Sequence, residues 1–213
     1  MTVTLAPWHS GLEQYLAGSI YACRRDLRVN AARTLVDAGM SVHVDVMIPG
    51  EGLPTGVTVD ELHELADVIP RERLGVHLIG SATGVEAVLP SIPECGDLYL
   101  PLGVHTTRDA RTWAAIWDES TSNVDLDGYD GVLVMLLEPG TSGAADPSRM
   151  ALVERLSQQY DVTVDGGVTP ELVPFCLSAG AKTLVVGRAL LTNPSLVTDS
   201  SLVADSSQLE GQS

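Results

Sequence analysis

The sequence predicts a (β/α)8 TIM barrel of the α/β class, and three observations predict it. Short, near-continuous apolar runs alternate with amphipathic stretches along most of the chain. That order makes a parallel sheet covered by crossover helices. Seven such runs read as clear strands, one short of the eight that close a barrel. No G-x-G-x-x-G follows the first run, so an open dinucleotide-binding sheet loses support.

The elements follow in order. Gly18 to Cys23 reads as the first strand. Asp26 to Ala38 then carries Leu27, Ala31, Leu35 and Ala38 on one helical face, with Gly39 placed to end it. Val42 to Met47 alternates with period two and is a strand; His43 and Asp45 share one of its faces and valines the other. Thr58 and Glu61 form a capping box for a helix bearing Leu62, Leu65, Ala66 and Ile69. Leu74 to Ile79 is a strand, a short helix precedes Pro90, and Asp97 to Val104 is a strand. Gly131 to Leu137 is a buried strand. Asp146 and Pro147 supply an N-cap and first-turn pair for a helix reaching Tyr160. Val162 to Val164 runs into Asp165-Gly166-Gly167, Thr169-Pro170 opens a helix that stops at Gly180, and Thr183 to Val186 is the last clear strand.

One place is short of residues. Thr106 to Trp117 reads as a helix with Trp113 and Trp117 on one buried face. That leaves Ser120 to Tyr129, too little for a strand and a full helix. A shortened or degenerate β/α unit is therefore expected between residues 105 and 131, with a bare strand such as Asn123 to Leu126 closing the barrel. A single domain is expected over 1–213, with 195–213 as a weakly structured tail rich in Ser and Asp.

Composition narrows the function. The chain has 213 residues, 45% of them apolar, with 12 basic against 28 acidic residues and a net charge of −16. No basic footprint exists for nucleic acid or an anionic membrane. No signal peptide and no run long enough for a membrane span is read. Cys23, Cys95 and Cys176 are dispersed and odd in number, which argues for a reducing, cytoplasmic setting. Lys182, the only lysine, precedes the last strand at the bottom of the barrel, so Schiff-base chemistry is not expected.

Chemistry in a barrel sits at the C-terminal ends of strands. His43 and Asp45 lie near the end of one strand, His77 in the next, and Asp165 ends a later one. Two imidazoles and two carboxylates there form a mixed N/O site suited to one divalent ion: Zn²⁺, Fe²⁺, Mn²⁺ or Co²⁺.

These residues also resemble a known family. His43-Val44-Asp45-Val46-Met47, Gly75-Val76-His77-Leu78, Val132-Leu133-Val134-Met135 with Pro139-Gly140, and Val164-Asp165-Gly166-Gly167-Val168 resemble ribulose-phosphate 3-epimerase from about Gly18 to Leu191. The resemblance implies a barrel that inverts C3 of a phosphorylated ketose in the pentose phosphate pathway. It implies a single metal held by His43, Asp45, His77 and Asp165, with the two aspartates as the acid/base pair on opposite faces of the substrate. It implies that Met47 and Met135 line the site, and that Gly140, Gly143, Gly166, Gly167 and Gly187 help hold the phosphate. Val185-Val186-Gly187-Arg188 is similar to the orotidine-phosphate decarboxylase group, which implies that Arg188 grips the phosphate. A homo-oligomer is expected.

Some positions depart from the pattern. Ala22 falls where the family carries a substrate-contacting serine, Ile48 replaces an acidic residue, and Ile79 replaces a methionine. Two alternatives stand beside the epimerase: a diverged non-catalytic paralogue binding sugar phosphate or metal, and a decarboxylase-group lyase. The lyase motif D-x-K-x-x-D finds no lysine in His43 to Ile48.

Overall fold

The computed structural model describes residues 3–117, 126–139, 141 and 143–192. The strands are β1 (Thr4–Leu5), β2 (Leu16–Ser19), β3 (Ser41–Met47), β4 (Leu74–Ile79), β5 (Asp97–Pro101), β6 (Arg111–Ile116), β7 (Gly131–Met135), β8 (Asp161–Asp165), β9 (Thr183–Val186) and β10 (Leu191–Thr192). The helices are α1 (Arg28–Asp37), α2 (Val59–Ala66), α3 (Ala82–Val88), α4 (Met150–Leu156) and α5 (Val173–Ser178). Strands β2 to β9 pair in parallel in chain order, and β2 returns to pair with β9, which closes an eight-stranded barrel. β1 and β10 form a separate antiparallel pair. Among the described residues no helix is long and apolar enough to cross a membrane.

Local chemistry explains most boundaries. Gly39 takes φ +83° one residue beyond Ala38, the C-cap of α1, a conformation that glycine adopts at little cost. The Thr58 hydroxyl accepts the Glu61 amide at 3.2 Å and caps α2. The expected capping box is only half formed, because the Glu61 carboxylate turns to Arg28 on α1. Asp146 accepts the Ser148 amide and caps a 3-10 turn, Pro147–Arg149, that leads into α4.

The eighth strand is not where the sequence reading placed it. Arg111–Ile116 is strand β6, paired with β5 and β7, and not part of a helix from Thr106 to Trp117. The four-residue spacing of the tryptophans coincides with a helical repeat. Pairing on both edges decides for the strand, in which Thr, Trp and Ile are at home. Trp113 points into the barrel and donates its indole N–H to Asp97 at 2.7 Å, whereas Trp117 is exposed. The barrel closes with β2 on β9; residues 123–125 of the expected strand Asn123 to Leu126 lie outside the described residues, as do 195–213.

The shortage of residues appears as a missing helix. Residues 102–110 contain none and lead from β5 straight to β6. Irregular chain seals the outer wall instead. The Tyr129 hydroxyl donates to the Val104 carbonyl at 2.8 Å, and Arg108 reaches the carbonyls of Ile92 and Pro93 at 2.9 and 3.0 Å.

Inside, the registers set side chains in levels contributed by alternate strands. The lowest level is Ala17, Gly75, Trp113 and Thr163. Above it lie His43, Tyr99, Leu133 and Val185, then Ser19, His77, Ala115 and Asp165, and at the mouth Asp45, Pro101, Met135 and Gly187. Two glycines make room for the interior aromatics. A Cβ at Gly75 would stand 3.1 Å from the Tyr99 ring, and one at Gly131 would collide with Trp113. The upper levels are polar on the β2–β3–β4 and β8 side, and that places the site.

Candidate metal centre

β3, β4 and β8 bring His43, Asp45, His77 and Asp165 together at the C-terminal end of the barrel. One ligating atom from each lies within 4.8 Å of all the others. Period two sends His43 and Asp45 inward while Val42, Val44 and Val46 pack against the helices. The Asp45 Oδ1 atom is 3.2 Å from His43 Nε2 and 3.2 Å from His77 Nδ1. Asp165 Oδ2 is 3.7 Å from His43 Nε2, and its other oxygen accepts the Gly166 amide at 2.6 Å.

The residues fit a divalent ion. Neither ring nitrogen of His43 makes a hydrogen bond, although both are buried. Buried polar atoms ordinarily have a partner, and a metal bound at Nε2 would supply one. Ligands bound at about 2.0–2.2 Å around one ion stand roughly 3–3.6 Å apart, which is near the spacing seen. Two imidazoles with two carboxylates make a borderline donor set.

Electrostatics separate the two carboxyls. Burial pushes Asp45 up, but the His43 and His77 imidazoles outweigh it and hold Asp45 well below the usual carboxylate range. Burial also raises Asp165. The pull of His43 there is weaker, the Asp45 charge adds to the rise, and Asp165 stays above its ordinary value. His43 is raised as well: burial opposes its charge, and Asp45 with Asp165 overcomes that. Paired groups whose proton affinities are pushed apart are the usual mark of acid/base work.

The sequence reading missed Ser19. Its hydroxyl donates to Asp45 Oδ2 at 3.0 Å, from the last residue of β2. The reading began that strand at Gly18 and ran it to Cys23, which put Ala22 at the site. The strand instead ends at Ser19, and Ala22 lies in a 3-10 turn beside Gly187. Inward parity counted back from β3's partner, Ala17 and then Ser19, is the signal that would have found it.

The remaining candidates fall around the mouth. Met135 is paired with Asp165 and packs with Leu133, Trp113 and Tyr99 inside the barrel. Met47 continues the inward parity of His43 and Asp45 and is buried. Gly166 and Gly167 have φ +100° and +71°. A Cβ on Gly167 would stand 2.9 Å from the Ala145 amide nitrogen and 3.3 Å from the Gly143 carbonyl, so the loop after β7 lies against the double glycine. Gly187 directly follows β9, and a Cβ there would come within 3.0 Å of Ala22. Arg188 follows it, exposed and without a hydrogen-bond or ion-pair partner among the described residues. Gly140 lies outside the described residues. Cys23 is no nucleophile: burial pushes its thiol up to about 11. His105 stacks on Tyr129, away from the cluster.

Comparison with known proteins gives partial matches. Residues 118–191 match the model of the ribulose-phosphate 3 epimerase family. That stretch contains Met135, Asp165, Gly166, Gly167 and Arg188 but not His43, Asp45 or His77. The cytoplasmic isoform of ribulose-phosphate 3-epimerase from rice, Oryza sativa subsp. japonica, is 40% identical over 63 residues, which span 28% of each chain. These partial matches are consistent with a divergent member of that family. Among solved structures, phosphoribosyl anthranilate isomerase from Thermococcus kodakaraensis is 12% identical with a TM-score of 0.57, covering 86% of this chain and 92% of its own. The enzyme from Pyrococcus furiosus is 9% identical with the same TM-score and coverage. Both show the barrel fold alone.

Proposed function

We propose that this chain is a metal-dependent epimerase that inverts C3 of a ketose phosphate, with D-ribulose 5-phosphate and D-xylulose 5-phosphate as its pair. The observation that carries the reading is the gathering of Asp45 and Asp165 with two imidazoles in one cluster at the C-terminal mouth of the barrel. Inversion beside a ketone needs a proton removed from one face and another delivered to the opposite face, which takes two groups. Asp45, as the carboxylate, would accept the proton on one face. Asp165 would deliver one from the other face. In the reverse direction the roles exchange.

His43, Asp45, His77 and Asp165 would hold the divalent ion, which supplies a Lewis acid for the negative charge that develops on the substrate oxygens. Ser19 fixes the Asp45 carboxylate through Oδ2, so that its other oxygen stays with the imidazoles. Met47 and Met135 exclude water with soft, uncharged surface. The glycine-rich turns after β7, β8 and β9 offer amides to the phosphate, and Arg188 offers a guanidinium fork.

Arg188 serves binding and not proton transfer in this scheme. Arg188→Ala is expected to raise KM about tenfold to a hundredfold, the worth of one charge-assisted hydrogen-bonded contact. The kcat should change by less than about threefold. Steady-state kinetics on ribulose 5-phosphate separates the two constants.

The test of the reading itself is isotopic. Protein loaded in turn with Zn²⁺, Fe²⁺, Mn²⁺ and Co²⁺ is incubated with ribulose 5-phosphate in heavy water and followed by proton NMR. Deuterium should enter at C3 as xylulose 5-phosphate appears. Absence of exchange with every ketose phosphate tried, in protein that holds metal, would sink the proposal.

A further inference from the structure

The turn that carries Arg188 is held by a segment that is not part of the barrel. Residues 187–190 follow β9, and the Gly187 carbonyl accepts the amides of Leu190 and Leu191, each at 2.9 Å. The two carbonyls after Arg188 are taken from far along the chain. Ala189 accepts the Trp8 indole N–H at 2.8 Å, and Leu190 accepts the Ala6 amide at 2.8 Å. Trp8 and Ala6 belong to a strap that runs from β1 into the 3-10 turn Pro7–His9. The strap is itself fixed. Val3 and Ala6 are buried, β1 pairs with β10, and the His9 ring returns to the Ala6 carbonyl at 2.7 Å.

These bonds occupy one side of the turn only. In such a turn the carbonyls point one way and the first amides the other. The carbonyls of Gly187, Ala189 and Leu190 are engaged, while the amides of Arg188 and Ala189 donate to no group among the described residues. The Arg188 side chain is exposed and has no partner among them either. Open amides beside an unpaired guanidinium are anion-binding groups. They bind best when their positions are set before the ligand arrives, since ordering a loop costs affinity. Connecting turns are otherwise the mobile part of such a fold. An indole suits the task of fixing one: it donates a single N–H, accepts nothing, and brings a large ring that packs. The Trp8 ring does pack, against the buried core cluster.

We infer that Trp8 is a positioning residue for phosphate binding: the strap of residues 3–9 clamps the turn after β9 by its carbonyls and so holds Arg188 toward the phosphate. The inference rests on the reading of Arg188 as a phosphate contact above. Trp8 acts through the turn and not on the substrate.

The experiment compares wild type, Trp8→Phe, Ala6→Pro, Arg188→Ala and the double variant Trp8→Phe with Arg188→Ala. Each is titrated with D-ribitol 5-phosphate, which carries a phosphate but no ketone, and KM and kcat are measured on ribulose 5-phosphate. Trp8→Phe keeps a packed ring and removes the donor. Ala6 has φ −66°, which proline accepts, so Ala6→Pro removes the other bond. Each should weaken ribitol 5-phosphate and raise KM about threefold to tenfold, the worth of one hydrogen bond. The kcat should stay within about twofold, as for a loss of binding alone. In the Arg188→Ala background the effect of Trp8→Phe should shrink to less than about 1.5-fold, because the two residues act as one unit. In wild type the Trp8 indole N–H resonance should shift as ribitol 5-phosphate is added, whether or not either strap variant folds. A stationary resonance, or equal effects of Trp8→Phe with and without Arg188, overturns the inference. Unchanged affinity in both strap variants, while Arg188→Ala loses affinity, overturns it and leaves the phosphate reading of Arg188 standing. If Arg188→Ala binds ribitol 5-phosphate as tightly as wild type, that reading fails and the inference falls with it.

Discussion

Replacing Asp165 with asparagine is expected to lower epimerisation about 10²- to 10⁴-fold, the usual worth of one positioned acid or base. His43, Asp45 and His77 remain in place, so elemental analysis should still find metal in the variant. The amide cannot deliver a proton to C3, but Asp45 can still remove one. Inversion and exchange should therefore separate. The epimer whose C3 proton faces Asp45 continues to exchange with heavy water, while the other epimer neither forms nor exchanges at a comparable rate. Equal inversion by variant and wild type, at equal metal content, would refute the role given to Asp165.

The second large effect concerns stability and lies away from the site. Arg28 on α1 donates through Nη1 to both oxygens of Glu61 on α2, at 3.1 and 3.0 Å, and through Nε to the Cys23 carbonyl at 3.2 Å. Arg28 is 8% exposed and Glu61 4%. Arg25 adds a looser contact with Glu61 at 3.8 Å, from an exposed side chain. Glu61→Ala leaves the Arg28 charge buried without its partner, which costs about 3–5 kcal/mol in comparable cases. For a chain of this length each kcal/mol moves the melting temperature by about 2–4 °C. A fall of about 6–20 °C is expected in a thermal melt. Replacing both residues by apolar ones of similar volume, Arg28→Met with Glu61→Leu, should recover much of it. A fall of less than about 3 °C for Glu61→Ala would show that solvent reaches the pair.

These expectations rest on features that the sequence disclosed unequally. Buried parallel strands are continuous apolar runs, so Leu74–Ile79 and Thr183–Val186 were legible to the residue. His43, Asp45 and His77 were legible for the opposite reason: polar groups on the inward beat of a β-branched run demand partners. Trp113 was not, because one spacing in Arg111 to Trp117 fits both a helix face and a strand, and only pairing with β5 and β7 separates them. Ser19 was hidden by a boundary error of a few residues, enough to assign its place to Ala22.

The way the barrel closes has a consequence for how it is made. Leu16 pairs with Leu184, and Thr4 with Thr192. The first barrel strand thus waits for the last before either has both neighbours. Contacts so distant in sequence form slowly, because their loop entropy must be met before they contribute. During synthesis β2 and whichever strand was made most recently are both open edges, able to pair with another chain. Closure of β2 on β9 removes both edges in one step, and β1 with β10 then ties the seam from outside. Folding of this chain therefore has its commitment at the seam, and aggregation during expression should compete with that step.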